Sequence, residues 1–255
     1  MLSFVEQCQQ WLSESPAVMD YLMERRHLTP ESIKESKIGY FPVNAHYPFP
    51  PKAQELKLKN RITVPIFSEF GKVVGIAGRI PDPKEKGWWN TSFSKSSHLY
   101  GFSDARQSIF KNNKAYVFEG YLDRIVLSQN GLANSVAAMS TNLGIRRLGL
   151  LSRYCDQLCL CFDTDQNEAG FAGCLRTLAD MYMMGIGIPP SSWKITMITL
   201  PVKVDPDDFV FQNGLDAFLA LEKPISEQQL KVAGKAYELL KYRLKLKQKR
   251  NQNDN

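Results

Sequence analysis

Carboxylates gather at three points of the sequence, and each point follows a short apolar run. The first is Ala115–Asp123 (AYVFEGYLD), where the run Ala115 to Phe118 ends in Glu119 and Gly120, with Asp123 close behind. The second, Leu158–Asp165 (LCLCFDTD), ends in Asp163 and Asp165. The third, Ile195–Asp208 (ITMITLPVKVDPDD), ends in Asp205, Asp207 and Asp208 around Pro206. Alternate residues leaving a strand point the same way, so Asp163 and Asp165 can face one cation. Acids with no histidine or cysteine partner favour a hard, oxygen-seeking ion, Mg²⁺ or Mn²⁺, over zinc. A single Asp-x-Asp is also a common polar turn or helix cap. Two such pairs plus Glu119, all at strand ends, point to one acidic site built from distant parts of the chain. Gly120 permits a tight turn and a close approach of phosphate to backbone, whereas Gly170 sits in a helix start and can serve packing alone.

The elements that must position these acids alternate. Strand Lys114–Phe118, helix Tyr121–Gln129, strand Ala133–Ala138, helix Ile145–Arg153, strand Gln157–Phe162, helix Glu168–Met184 and strand Lys194–Leu200 follow one another. Repeated strand–helix units with short connections imply a parallel sheet covered by helices, whose ligands lie at the C-terminal strand ends. The fold class is therefore α/β.

Upstream, Phe4 to Leu22 reads as helical with Phe4, Cys8, Trp11 and Leu12 on one side and a break at Ser15-Pro16. Thr29 and Pro30 suit the N-cap and first position of a short helix, Glu31–Ser36. Asn44–Pro51 reads as a loop. From Arg61 the period becomes strand-like: Ile62, Val64 and Ile66 alternate, Phe70-Gly71 supplies a turn, and Lys72–Arg79 continues as the second arm of a hairpin. Downstream, Ser226 to Gln229 matches a capping box, followed by Leu230, Ala233, Tyr237, Leu240 and Leu244 at helical steps. These readings divide the chain into an N-terminal α/β lobe over residues 1–106, a parallel-sheet domain over 107–222, and a basic helical tail over 223–255 that ends in disorder from Asn251. The tail's stretch Lys231–Arg250 reads as a solvated helix or as a contact for a partner or nucleic acid.

The totals bound the function. The 255 residues carry a net charge of +6 with acids concentrated at the strand ends, a balance suited to holding a polyanion by the surface and cations at the centre. No apolar run is long enough to span a bilayer, and the N-terminus MLSFVEQCQQWL does not read as a secretion signal, so a cytoplasmic location (the host's, for a viral source) is expected. Five cysteines without a Cys-x-x-Cys pair, and three scattered histidines, offer no zinc ligand set. Cys159 and Cys161 share one strand face and suit packing in a reducing compartment.

The segments EGYLD, CFDTD with a following Ala-Gly, and VDPDDF together resemble the Toprim domain shared by bacterial-type primases, topoisomerases and some nucleases. RHLTPESIKESKIGYFP, RITVPIFSEFGKVVGIAGRI and WWNTSFSKSSHLYGF resemble, in the same order, the N-terminal segments of DnaG-like primase polymerase cores. The resemblance runs from about Asp20 to Phe218. It implies template-directed synthesis of RNA primers on single-stranded DNA from ribonucleoside triphosphates. It makes Glu119, Asp163, Asp165, Asp205 and Asp207 the metal carboxylates, with Glu119, Asp163 and Asp165 catalytic and Gly120 and Asp123 in support. Glu119 is a general base or a metal ligand. The resemblance further implies that Arg61, Arg79, Asn90 and Lys95 meet nucleotide or template, while Trp88 and Trp89 stack on bases or pack. Where the family has a lysine this chain has Gly87, with Lys86 one step earlier. The family's Asp-Gly-Asp-x-Ala-Gly is two residues longer here, placing Gln166 and the extra acid Glu168 inside it. The resemblance leaves no place for the zinc-binding and helicase-binding domains of full-length primases, so a replicative helicase or a separate zinc-binding replisome protein is the expected partner, and no membrane is. The same metal site would also serve a Toprim-type nuclease, and a non-catalytic DNA-binding replisome module is the non-enzymatic alternative.

Overall fold

The computed structural model describes residues 1–48, 57–82, 84–85, 87–162, 169–187, 191–201 and 204–253. Lys86, Asp163, Asp165, Gln166 and Glu168 lie outside them, as do residues 49–51 of the loop expected at Asn44–Pro51.

Three helices open the chain: α1 Leu2–Ser13, α2 Pro16–Arg26 and α3 Pro30–Glu35. Proline sits at the start of α2 and α3, where its missing N–H would have no partner anyway. Thr29 caps α3 by accepting from the Ser32 N–H at 3.1 Å. A four-stranded antiparallel sheet follows in the order β1-β2-β3-β4, with β1 Gly39–Phe41, β2 Arg61–Phe67, β3 Val73–Arg79 and β4 Trp88–Asn90. Pro65 is tolerated inside β2 because β1 pairs only as far as Thr63, leaving the strand one neighbour at the proline. Gly71, at φ +77°, makes the turn between β2 and β3.

A 3₁₀ turn at Lys95–Ser97 and helix α4 Phe102–Asn112 lead into the second sheet. Its order is β6-β5-β7-β8-β9, with β5 Lys114–Phe118, β6 Ser135–Ala137, β7 Gln157–Cys161, β8 Lys194–Met197 and β9 Lys223–Pro224. The first four strands are parallel, and β9 runs antiparallel on the edge. The intervening helices are α5 Tyr121–Gln129, α6 Ile145–Leu151, α7 Ala169–Met183, α8 Pro206–Asn213 and α9 Leu215–Leu219. Burial on both faces explains why β5 and β7 are runs of apolar residues rather than alternations. Cys159 and Cys161 face the same way, their sulfurs 3.8 Å apart, and all five cysteines are free and buried.

The two sheets meet over a shared core. Leu22, Ile33, Val64 and Ile66 from the first part pack in one cluster with Tyr121, Leu122, Ile125 and Val126 of α5. A backbone bridge joins Tyr100 to Ala137 of β6. Gln129 fastens the same seam: its Nε2 donates to His27 O at 2.6 Å, and its Oε1 accepts from Ser32 Oγ at 2.6 Å and from the Thr29 N–H at 3.1 Å.

Two features depart from the sequence reading. The strand β9 is new, formed by Lys223-Pro224 with no period to announce it. The final helix, α10 Glu227–Asn253, is not wholly a solvated tail: Leu230 and Ala233 are buried in the same core as Leu178 and Met181 of α7, and Gly234 lies against the Tyr182 ring. Its helical turns continue past Asn251, where composition predicts disorder.

Candidate metal centre and nucleic-acid interface

Glu119 is the first residue beyond β5, and its carbonyl accepts from the Met139 N–H at 3.0 Å, which ties the end of β5 to the loop after β6. Burial, with the nearby Glu119 charge adding to it, pushes the Cys174 thiol of α7 up to about 12. Glu119 therefore lies toward α7, the helix that follows the Asp163–Asp165 segment. Gly120 begins α5 in extended backbone (φ −94°), so its freedom of rotation is not what the site requires. Space is: a Cβ on Gly120 would collide with the carboxylate of Asp123, which is itself buried.

The third acidic stretch forms the tightest group. Asp205 is the N-cap residue of α8, Pro206 its first residue, and Asp207 and Asp208 fill the first turn. Ligand oxygens of the three aspartates lie within 4.8 Å of one another, the one such set among the described residues. Asp207 is 4% exposed and accepts from the Asp208 N–H at 2.9 Å. Burial pushes its carboxyl up to about 6, helped by the charges of Asp208 and Asp205 and opposed by Arg26 of α2. Asp208 in turn meets His27, Nε2 to Oδ1 at 3.2 Å. The structure thus joins Asp205 and Asp207 as the spacing suggested, adds Asp208, and leaves Glu119 outside this three-acid group. The donor set fits a hard divalent ion: it is all oxygen, and such an ion would offset both the burial of the Asp207 carboxylate and the negative charge of Asp208 and Asp205 beside it.

Of the basic and polar candidates, Asn90 reaches across the seam. Asn90 Oδ1 accepts from Tyr121 Oη at 2.6 Å, linking β4 to the first turn of α5. Trp88 packs on the same tyrosine, ring centres 4.7 Å apart, and the guanidinium of Arg79 stands 5.9 Å from the Trp88 ring centre. Arg79 is buried, and its Nε has no hydrogen-bond partner among the described residues. Arg61 donates from Nε to Lys57 O at 2.8 Å. Lys95 is held below the usual lysine range by burial and by the charge of Arg147.

A Toprim-like family model matches residues 116–210, the stretch that carries β5 through the start of α8. The DNA primase of Rickettsia typhi is 33% identical over 242 residues, covering 85% of this chain and 40% of its own length. Among solved structures, a DnaG primase catalytic domain bound to single-stranded DNA matches with a TM-score of 0.76 at 26% identity, over 88% of this chain and 78% of that one. The Escherichia coli primase catalytic core matches with a TM-score of 0.69 at 25% identity, over 85% and 77%. The chain shares the sequence and fold of DnaG-like primase catalytic cores. It spans well under half the length of the curated primase from Rickettsia typhi.

Within this primase-like core, sequence reasoning passed over two residues that the structure makes prominent. His27 stacks on Phe211 with ring centres 3.7 Å apart and planes 8° apart, so the turn after α2 grips the acid-bearing helix α8. Nothing local announces it, because its partners lie far along the chain. Arg147 reads as one more charge on α6 but is 5% exposed. Its Nη1 donates to Ala138 O at 2.5 Å, Ser140 Oγ at 3.0 Å and Asn142 O at 3.3 Å, bracing the loop that holds the Glu119 backbone. Burial pushes this arginine down to about 10. Asp208, by contrast, was visible as a second acid following Asp207.

Proposed function

We propose that this chain is a DNA primase catalytic core, making short RNA primers on single-stranded DNA by divalent-metal-dependent nucleotidyl transfer. The observation that carries the reading is the clustering of carboxylates beyond the C-terminal ends of a parallel sheet, in a chain whose sequence and fold both match DnaG-type cores. Asp205 and Asp207, with Glu119, Asp163 and Asp165, would hold Mg²⁺ or Mn²⁺; Asp208 completes the first-turn group. The ion would lower the pKa of a primer 3′-hydroxyl and offset charge on the phosphoryl group under attack. Asp123 and Gly120 fix the turn that presents Glu119, which takes the hydroxyl proton or serves as a ligand. Arg61, Arg79, Lys86 and Lys95 neutralise triphosphate and template phosphates, and Asn90 is oriented by Tyr121 to meet the nucleotide. Single-stranded DNA and ribonucleoside triphosphates are the substrates, and a replicative helicase or separate zinc-binding protein is the proposed partner.

The test is direct. The protein is incubated with single-stranded DNA, labelled ribonucleotides and Mg²⁺ or Mn²⁺, beside its Asp163→Ala variant. Short labelled oligonucleotides from the parent alone support the reading. Shortened DNA would transfer the site to a nuclease, and retained binding with no product of either kind would count for a scaffold.

A further inference from the structure

A notch lies between the hairpin tip and α6. The turn from β2 to β3, the residues after the 3₁₀ turn, the start of α4 and one side of α6 enclose a cavity of about 250 Å³. Its apolar wall comes from Phe67, Leu99, Phe102 and Leu150. Phe70 also lines it and is 84% exposed, a large ring left in water on a turn. Such a ring has little packing role, yet it offers a face on which a base can stack.

The charges around the notch are lopsided. Arg146 and Arg153 lie on the α6 side, and Glu69 is the one acid among the described lining residues. Glu69 is already occupied: its carboxylate lies 3.8 Å from Arg153, and its carbonyl accepts from Arg106 at 3.0 Å. Arg146 donates to Ser97 Oγ at 3.3 Å and has no carboxylate partner among the described residues. His98, at the mouth, is pushed below the usual histidine range by burial and by Arg147 against the pull of Glu69, so at neutral pH it offers a hydrogen-bonding ring rather than a charge. Arg146 lies in the first turn of α6 and Arg153 in the turn beyond its last residue, Leu151, so the two cations stand at opposite ends of the helix and suit two phosphates rather than one.

We propose that this notch seats one nucleotide of a nucleic-acid strand, its base against Phe70 and the apolar wall and its flanking phosphates on Arg146 and Arg153. The site is separate from the carboxylate cluster and rests on the primase reading only for the presence of a strand. Lys95 opens the 3₁₀ turn whose other end, Ser97, borders the notch, so a strand leaving Lys95 would pass over it.

Anisotropy of a labelled oligothymidylate, measured without divalent metal, tests the proposal. Phe70→Ala should weaken binding about fivefold or more, the loss expected for one stacked base. Arg146→Gln with Arg153→Gln should reduce the slope of log K against log salt by about 1.4, two phosphates at about 0.7 each. All three side chains are exposed, so an unchanged melting temperature confirms that folding is intact. Parent affinity and parent slope in both variants would overturn the proposal. ATP is titrated separately: loss of ATP binding in the variants with strand binding unchanged would reassign the notch to a free nucleotide and overturn the strand. Primer synthesis is scored in its own assay, so its failure with these binding changes intact would remove the primase reading and leave the notch.

Discussion

His27 Nε2 stands 3.2 Å from Asp208 Oδ1 across 181 residues of sequence, and the same ring lies flat on Phe211. One side chain from the turn after α2 thereby holds both an acid and an aromatic of α8. His27 has positive φ (56°), so replacing it changes backbone preference as well as contacts. Asparagine tolerates that conformation, which lets His27→Asn isolate the loss of the ring. A double-mutant cycle of His27→Asn with Phe211→Ala, read by urea denaturation, should return a coupling of about 1 kcal/mol. Additive effects would mean that the stack contributes nothing.

Asp207 predicts a pH dependence. Its carboxyl is raised to about 6 in the folded protein, against about 3.9 in an unfolded chain. A raised acid binds its proton more tightly when folded. Its contribution to stability is thus fully present below pH 4 and is lost as pH rises through 6. In the absence of divalent metal, Asp207→Asn should flatten the fall in stability between pH 4 and pH 7, by on the order of 2 kcal/mol relative to the parent. Added Mg²⁺ or Mn²⁺ should raise the parent's melting temperature more at pH 7.5 than at pH 5, where protons compete for the site. Equal shifts at both pH values would show that the ion does not bind through Asp207.

The parallel sheet was legible because burial on both faces leaves its strands as apolar runs, each followed by an amphipathic helix. The predicted bounds of β5 and α5, Lys114–Phe118 and Tyr121–Gln129, are those observed. The hairpin was legible from alternation and from the glycine its turn requires. β9 was not, since two residues on a sheet edge carry no period. The closeness of Asp205, Asp207 and Asp208 was legible from their spacing, but only the fold shows them meeting beside His27 while Glu119 turns toward α7. His27 and Arg147 act through partners that topology, not local sequence, brings near. Gly120 was legible as necessary, but for another reason than the observed one.

At Gly120 the constraint is space, not backbone freedom. Gly120→Ala leaves the backbone unstrained at φ −94° and drives a methyl group into the Asp123 carboxylate. The substitution should destabilise the protein by about 1–3 kcal/mol, as overpacking does. Adding Asp123→Ala should recover much of that loss, because the obstacle is gone. Urea denaturation of the two single variants and the double variant reads the effect. A Gly120→Ala penalty that persists undiminished beside Asp123→Ala would place the constraint in the backbone instead.

Helix α10 is part of the fold rather than an appendage. Ser226 and Gln229 form a reciprocal cap: the Gln229 N–H donates to Ser226 Oγ at 3.2 Å, and the Ser226 N–H donates to Gln229 Oε1 at 2.9 Å. Leu230, one residue further, is 1% exposed against the α7 side of the core. Ser226→Ala should cost about 1 kcal/mol, and Leu230→Ala about 2–4 kcal/mol through the cavity it opens. Hydrogen exchange separates the two consequences. Ser226→Ala should raise exchange in the first turn of α10 alone, because the cap serves only that turn. Leu230→Ala should raise it in both α10 and α7, since the two helices share the packed face. If Leu230→Ala left α7 protected as in the parent, the helix would be a tail after all, docked without supporting what it touches.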